Sequence, residues 1–145
     1  MSIIPHHTSD VLCPLCAQKL IQAHPEITMW FHWAKTKHPD LHVSWSYRNQ
    51  AEQTQAVSNG ASRLNYPDSA HNKTDANGNP CSLALDVFQI NDAGQAVFDP
   101  IFCAKLDAES EAAGYIIKWG GNFRSLGDND HFEIDVAPPV NSGQS

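Results

Sequence analysis

Apolar residues recur along this chain with two different periods, and the switches between them mark out its elements. Ile27, Trp30, Phe31 and Ala34 stand at i, i+3, i+4 and i+7 behind Pro25, a residue suited to the first turn of a helix. Pro39 is placed to end that helix, and the aromatic stripe reads as core packing. Pro14 to about Ala23 predicts a shorter helix ahead of it. From Leu41 to Tyr47 the period drops to two: Leu41, Val43, Trp45 and Tyr47 face one way, while His42, Ser44, Ser46 and then Arg48 face the other. Arg48 therefore falls at the end of a strand, on its polar face. Asn49 can cap a helix from Gln50 to Ser58, with Gly60 just beyond its end.

Residues 61–81 are dense in Asn, Asp, Ser, Pro and Gly and predict a long loop, of the kind that is usually functional or mobile. Ser82 to Asn91 reads as a strand, Asp92-Ala93-Gly94 as a turn, and Gln95 to Asp99 as the hairpin partner. Pro100 opens a helix running to Ala113, which Gly114 stops. Tyr115 to Gly121 and His131 to Val136 predict two further strands, and the tail from about residue 138 has the composition of a disordered end. The sum is an α+β domain over residues 1–145: a small antiparallel sheet flanked by helices, with a helical N-terminal segment to about residue 38.

Composition narrows the partners. Of 145 residues, 41% are hydrophobic and 17% charged, a soluble globular balance. A formal net charge of −7 opposes phosphate backbones, so nucleic acid is not an expected partner. No apolar run approaches the roughly 18 residues of a membrane span. MSIIPHHTSDVLC carries neither a basic region nor an apolar stretch of signal-peptide length, so synthesis in the cytoplasm with reduced thiols is expected. A monomer is expected.

Chemistry concentrates in three places. Asp86 lies in SLALDVFQI, apolar on both faces, so its carboxylate must be protonated, paired or metal-bound. His71 stands in the polar loop before that strand. Asp128, His131 and Glu133 cluster in GDNDHFEID, with His131 and Glu133 sharing a strand face. His71, Asp86 and His131 from separate elements make a three-ligand set with a fourth position open, the pattern of a catalytic zinc. The alternatives on residue type are a solvent-exposed His71, an ordinary edge strand at HFE, and an Asp86 that caps a turn or pairs with Arg48. Cys13 and Cys16 form a lone CxxC, for which a small structural zinc site with His6 or His7 is an option. His24, His32 and His38 read as surface or packing residues, and His42 shares the Arg48 face without an assigned role.

In order along the chain, SWSYRNQAEQTQAVSNGAS, SAHN…PCSLALDVF and WGGNFRSLGDNDHFEI resemble the three blocks of the zinc L-alanyl-D-glutamate endopeptidases and D-alanyl-D-alanine carboxypeptidases. The likeness is greatest to their single-domain bacteriophage endolysins and runs from about Val43 to Ile134. It implies the hedgehog/D,D-peptidase-like fold and one zinc per chain, held by His71, Asp86 and His131. It further implies Asp128 as general base, Arg48 as stabiliser of the tetrahedral intermediate and Ser69 as a substrate contact. Glu133 can orient His131 from behind. Trp119 and the Gly120-Gly121 pair are candidates to line a groove, or to form a plain strand-end bulge. The implied substrate is peptidoglycan, reached after release from the cell and cut within its stem peptides. Cleavage of terminal D-Ala-D-Ala, or a zinc-containing binding domain without catalysis, are the alternatives.

Two departures stand out. His71 and Asp86 are 15 residues apart, wider than in typical members, which makes Asp75 a rival first ligand. Asp130 stands where the family often has Pro, which makes it a rival to Asp128 as base, although spacing favours Asp128.

Overall fold

The computed structural model describes residues 12–122 and 129–135. Among them are four helices, α1 (Pro14–Ile21), α2 (Pro25–Lys37), α3 (Gln50–Ser58) and α4 (Pro100–Ala112). Five strands accompany them, β1 (Leu41–Trp45), β2 (Ala84–Ile90), β3 (Ala96–Val97), β4 (Lys118–Trp119) and β5 (His131–Glu133). Short-range chemistry explains where the helices start. Proline occupies the first turn of α1, α2 and α4, where its missing N–H costs nothing. Asn49 and Glu52 exchange hydrogen bonds in a capping box at the head of α3, and the His24 side chain accepts from Glu26 N at 3.1 Å at the head of α2. Gly114, at φ 90°, takes the left-handed turn that ends α4.

The strands form one antiparallel sheet in the order β1-β2-β5-β4, with β3 also paired to β2. One face is the core. Leu85, Val87 and Phe132 lie there, fully buried against Ile27, Trp30, Phe31 and Ala34 of α2 and Leu106 of α4. The Trp30 and Phe132 rings are 4.9 Å apart, and the indole N–H donates to Ser110 Oγ at 2.9 Å, so the ring is buried with its polar atom satisfied. Each such side chain contributes roughly 1.5–3 kcal/mol. The helical stripe of α2 is thus core, as its periodicity predicted.

On the other face the register sets out the chemistry. Asp86 of β2 pairs with Trp45 on one side and with His131 on the other, and directly paired residues share a face. A bulge between Val43 and Trp45 inserts Ser44 as an extra residue. The alternation that grouped Trp45 with Val43 is therefore broken. Trp45 crosses to the Asp86 face, and regular pairing stops there, two residues before the predicted end at Tyr47. The predicted strand Tyr115–Gly121 also shrinks, to Lys118–Trp119 followed by a 3-10 turn at Gly120–Asn122. The turn folds back onto Trp119: a Cβ on Gly121 would meet indole carbons at 2.2 to 2.5 Å. Glycine is needed there to make room for the protein's own indole. Val136, the predicted end of β5, lies outside the described residues. No helix among the described residues is long and apolar enough to cross a membrane.

Candidate metal centre

His71 enters the site from the long polar stretch, where the residues Ala70–Asn72 form a 3-10 turn. Ser69 holds that turn in place. Its hydroxyl accepts from His71 N at 3.2 Å, while Asn72 Oδ1 accepts from Ser69 N at 3.0 Å. Asn72 Nδ2 in turn donates to the Arg48 carbonyl at 3.0 Å and to Gln53 Oε1 at 3.2 Å, and Arg48 N donates to the His71 carbonyl at 2.9 Å. The buried Gln53 of α3 completes the brace by donating to the Leu64 carbonyl at 2.6 Å. A polar loop thus gains a fixed, buried segment because its backbone groups are paired.

The wide spacing between His71 and Asp86 has a local explanation. The chain leaves at Lys73 and returns at Cys81, whose N–H donates to the Lys73 carbonyl at 2.9 Å. Between them Thr74 bridges Pro80, and Gly78 turns at φ 81°. Asp75 Oδ1 accepts from Asn77 N at 2.9 Å and Asn79 N at 3.0 Å. The rival ligand Asp75 is therefore engaged in its own turn, and His71 is the residue brought to Asp86.

Three side-chain atoms meet on the polar sheet face. His71 Nε2 lies 3.2 Å from Asp86 Oδ1 and 3.2 Å from His131 Nδ1, and His131 Nδ1 lies 3.1 Å from Asp86 Oδ1. All three residues are buried, at 2%, 4% and 5% exposure for His71, Asp86 and His131. The outward nitrogens decide what this triangle is. His71 Nδ1 is 2.6 Å from the Ser46 carbonyl, which can only accept, so Nδ1 carries the proton and a neutral ring presents its Nε2 lone pair inward. His131 Nε2 is 2.7 Å from Glu133 Oε1, a carboxylate that also accepts, so its Nδ1 lone pair turns inward too. Two nitrogen lone pairs and a carboxylate oxygen converge on one point. A shared proton can bridge one edge of the triangle, whereas a cation at its centre serves all three atoms.

The dimensions fit such an ion. For tetrahedral zinc with bonds of about 2.0–2.2 Å, neighbouring N and O ligands are about 3.3–3.5 Å apart, close to the three edges seen. Burial by itself would raise the Asp86 pKa. In the metal-free site, charge and N–H donation from His71 and His131 stand in for a cation, outweigh that and hold the carboxyl well below the usual carboxylate range. Arg48 Nη2 donates to the second oxygen, Asp86 Oδ2, at 3.2 Å, and its guanidinium lies 5.1 Å from the centre of the Trp45 ring. Among the described residues Arg48 Nε is buried and makes no hydrogen bond.

Not every candidate from the sequence arrives at this point. Asp128 lies outside the described residues. Asp130, its rival, lines a cavity with Phe98, Asp99, Pro100 and Cys103, none of them a member of the triangle. Ser69 contacts the His71 backbone. Trp119 pairs with Phe132 and packs against the core cluster, on the sheet face opposite the triangle, and its indole donates to the Asn129 carbonyl at 2.8 Å. Sequence reasoning missed Ser46, Asn72 and Gln53. The S-x-x-N pattern at Ser69 was a readable signal for Asn72, but a carbonyl acceptor such as Ser46 leaves none.

No protein-family model matches the chain, and no curated protein matches it significantly. Among solved structures, the Serratia marcescens L-Ala D-Glu endopeptidase ChiX is similar, with a TM-score of 0.64 at 23% sequence identity over 83% of this chain and 86% of that one. The likeness establishes the fold: an α+β arrangement with an open antiparallel sheet, of a type that a peptidase also adopts.

Proposed function

We propose that this chain is a zinc peptidase that hydrolyses an amide bond in peptidoglycan stem peptides, in the manner of an endolysin. The observation that carries the reading is the convergence of His71 Nε2, His131 Nδ1 and Asp86 Oδ1, with both imidazoles held in the tautomer that offers a lone pair inward. The substrate class is supported by the ordered sequence blocks and by the fold shared with ChiX, itself an L-Ala D-Glu endopeptidase. The L-Ala–D-Glu amide is accordingly the bond assigned.

When bound, zinc at a three-ligand site supplies Lewis acidity and an activated water. Arg48 holds Asp86 Oδ2 and so leaves Oδ1 to the metal. The same guanidinium places positive charge beside the ligands, where it offsets charge building on the scissile carbonyl oxygen. Asp128, three residues ahead of His131, takes the proton from water and returns it to the leaving amine, work that typically contributes about 10²–10⁴-fold. Ser69 and Glu133 position the two histidines.

The test is digestion of purified peptidoglycan, followed by amino-group release and mass spectrometry of the fragments. Wild type should expose new D-Glu amino termini, and the activity should vanish with a chelator and in His71→Ala and Asp128→Ala. Release unaffected by the chelator, or equal in Asp128→Ala, would refute the mechanism. Loss of terminal D-Ala alone would move the assignment to a carboxypeptidase.

A further inference from the structure

A second group of metal-ligating side chains lies where α1 meets β1. Cys13 Sγ, Cys16 Sγ and a ring nitrogen of His42 lie within 4.8 Å of one another. The three residues come from an N-cap, a first helical turn and a strand, and their exposures are 1%, 0% and 0%. His42 Nδ1 is 3.5 Å from Cys16 Sγ and 3.7 Å from Cys13 Sγ. For tetrahedral zinc with Zn–S of about 2.3 Å and Zn–N of about 2.0–2.1 Å, the sulfur–nitrogen edge is about 3.5–3.6 Å. Both edges come within a few tenths of an ångström of it.

Burial, with Cys13 beside it, pushes the metal-free Cys16 thiol up to about 12, so two thiolates here require a cation between them, and the backbone is arranged to assist. Cys16 N donates to Cys13 Sγ at 3.3 Å, and Val43 N donates to Cys16 Sγ at 3.3 Å, so each sulfur receives a backbone amide. Cys13 also sits at the head of α1, where unpaired helix amides favour negative charge. No disulfide joins any of the four cysteines. The ordinary alternative is a pair of packed thiols hydrogen-bonded to a histidine. In that arrangement one thiol donates to Nδ1 and the two cysteines share a hydrogen bond, whereas a cation between them accounts directly for two sulfurs at nearly equal distances from Nδ1.

We propose that Cys13, Cys16 and His42 form a second metal centre, distinct from the His71 centre, which takes zinc and fastens α1 to the edge strand β1. Two thiolates and an imidazole form a soft donor set that selects zinc over hard cations such as magnesium or calcium. The residue that the sequence left unassigned, His42, is the third ligand; His6 and His7 lie outside the described residues. The position matters for the other site, because β1 continues into Ser46, whose carbonyl fixes the His71 tautomer and whose hydroxyl donates to the α1 carbonyl of Lys19 at 2.7 Å.

The experiment measures metal in the full chain, purified with a thiol-free reductant. About two zinc ions per wild-type chain are expected, falling to about one in Cys13→Ser/Cys16→Ser and to about one in His71→Ala. Because the double serine variant can fail to fold, cobalt(II) is also loaded into wild type and into His71→Ala. Thiolate-to-cobalt charge-transfer absorption in the near ultraviolet should appear in both, since only this group contains sulfur. Absence of the band in reduced wild type overturns the proposal, as does a single zinc per wild-type chain that His71→Ala removes. A single metal accompanied by the band, unchanged in His71→Ala, supports this centre and refutes the metal reading of the other.

Discussion

Replacing Glu133 by Ala tests the tautomer argument directly, without touching a ligand. Glu133 Oε1 lies 2.7 Å from His131 Nε2 and makes the outward nitrogen the one that carries hydrogen. Without that acceptor a neutral His131 can place its proton on Nδ1, and the N–H then points into the triangle where a lone pair is needed. Outer partners of metal-bound histidines typically contribute 10–100-fold in affinity, or about 1.4–2.8 kcal/mol. The Glu133 side chain is 26% exposed, so water can partly replace it, and a loss of about 10–30-fold is expected. Glu133→Gln keeps an amide oxygen that can accept from Nε2 and should lose less than Glu133→Ala. Zinc dissociation constants come from competition with a chromophoric chelator at fixed pH and ionic strength, and activity is read at saturating zinc. A Glu133→Ala constant within twofold of wild type would refute the reasoning, as would a larger loss in Glu133→Gln.

Three further outcomes follow from the geometry. The Asp86 pKa is depressed in the folded chain, so its ionised form contributes stability above the unfolded value of about 3.9, and that contribution is lost as the pH falls below it. Metal-free wild type should therefore melt progressively lower below about pH 4, and Asp86→Asn should melt lower at neutral pH with a flatter acid limb; equal acid limbs would contradict the assignment. Gly121→Ala would drive a Cβ into the Trp119 ring, at 2.2 to 2.5 Å, and should cost about 1–3 kcal/mol in thermal unfolding with a change in tryptophan fluorescence. An unchanged Tm would show that the turn accommodates the methyl group. Replacing residues 74–80 by a two-residue turn should leave zinc affinity unchanged and stability within about 1 kcal/mol, since the Lys73 and Cys81 backbones already meet at 2.9 Å. Loss of zinc binding would show that the excursion supports His71 after all.

What the sequence by itself determined was local. Prolines at helix starts, the Asn49 cap, Gly114 after α4 and the 3.6-residue stripe of α2 act over a few residues, and each element they mark is present. The meeting of His71, Asp86 and His131 was also legible, because a carboxylate in an apolar strand demands a partner and the three blocks stand in a recognisable order. Tertiary structure decided what depends on residues far apart in the chain. The bulge at Ser44 arises from pairing with β2, so alternation within β1 could not show Trp45 turning to the Asp86 face. Trp119 was a groove candidate by its neighbours, but pairing with Phe132 put it on the core side. Cys13 and Cys16 acquired a third companion in His42 only when α1 packed against β1, across 29 and 26 residues of sequence. The acceptors that favour an outward N–H on each imidazole, the Ser46 carbonyl and the Glu133 carboxylate, come into place only in the folded chain, and their effect depends on tenths of an ångström.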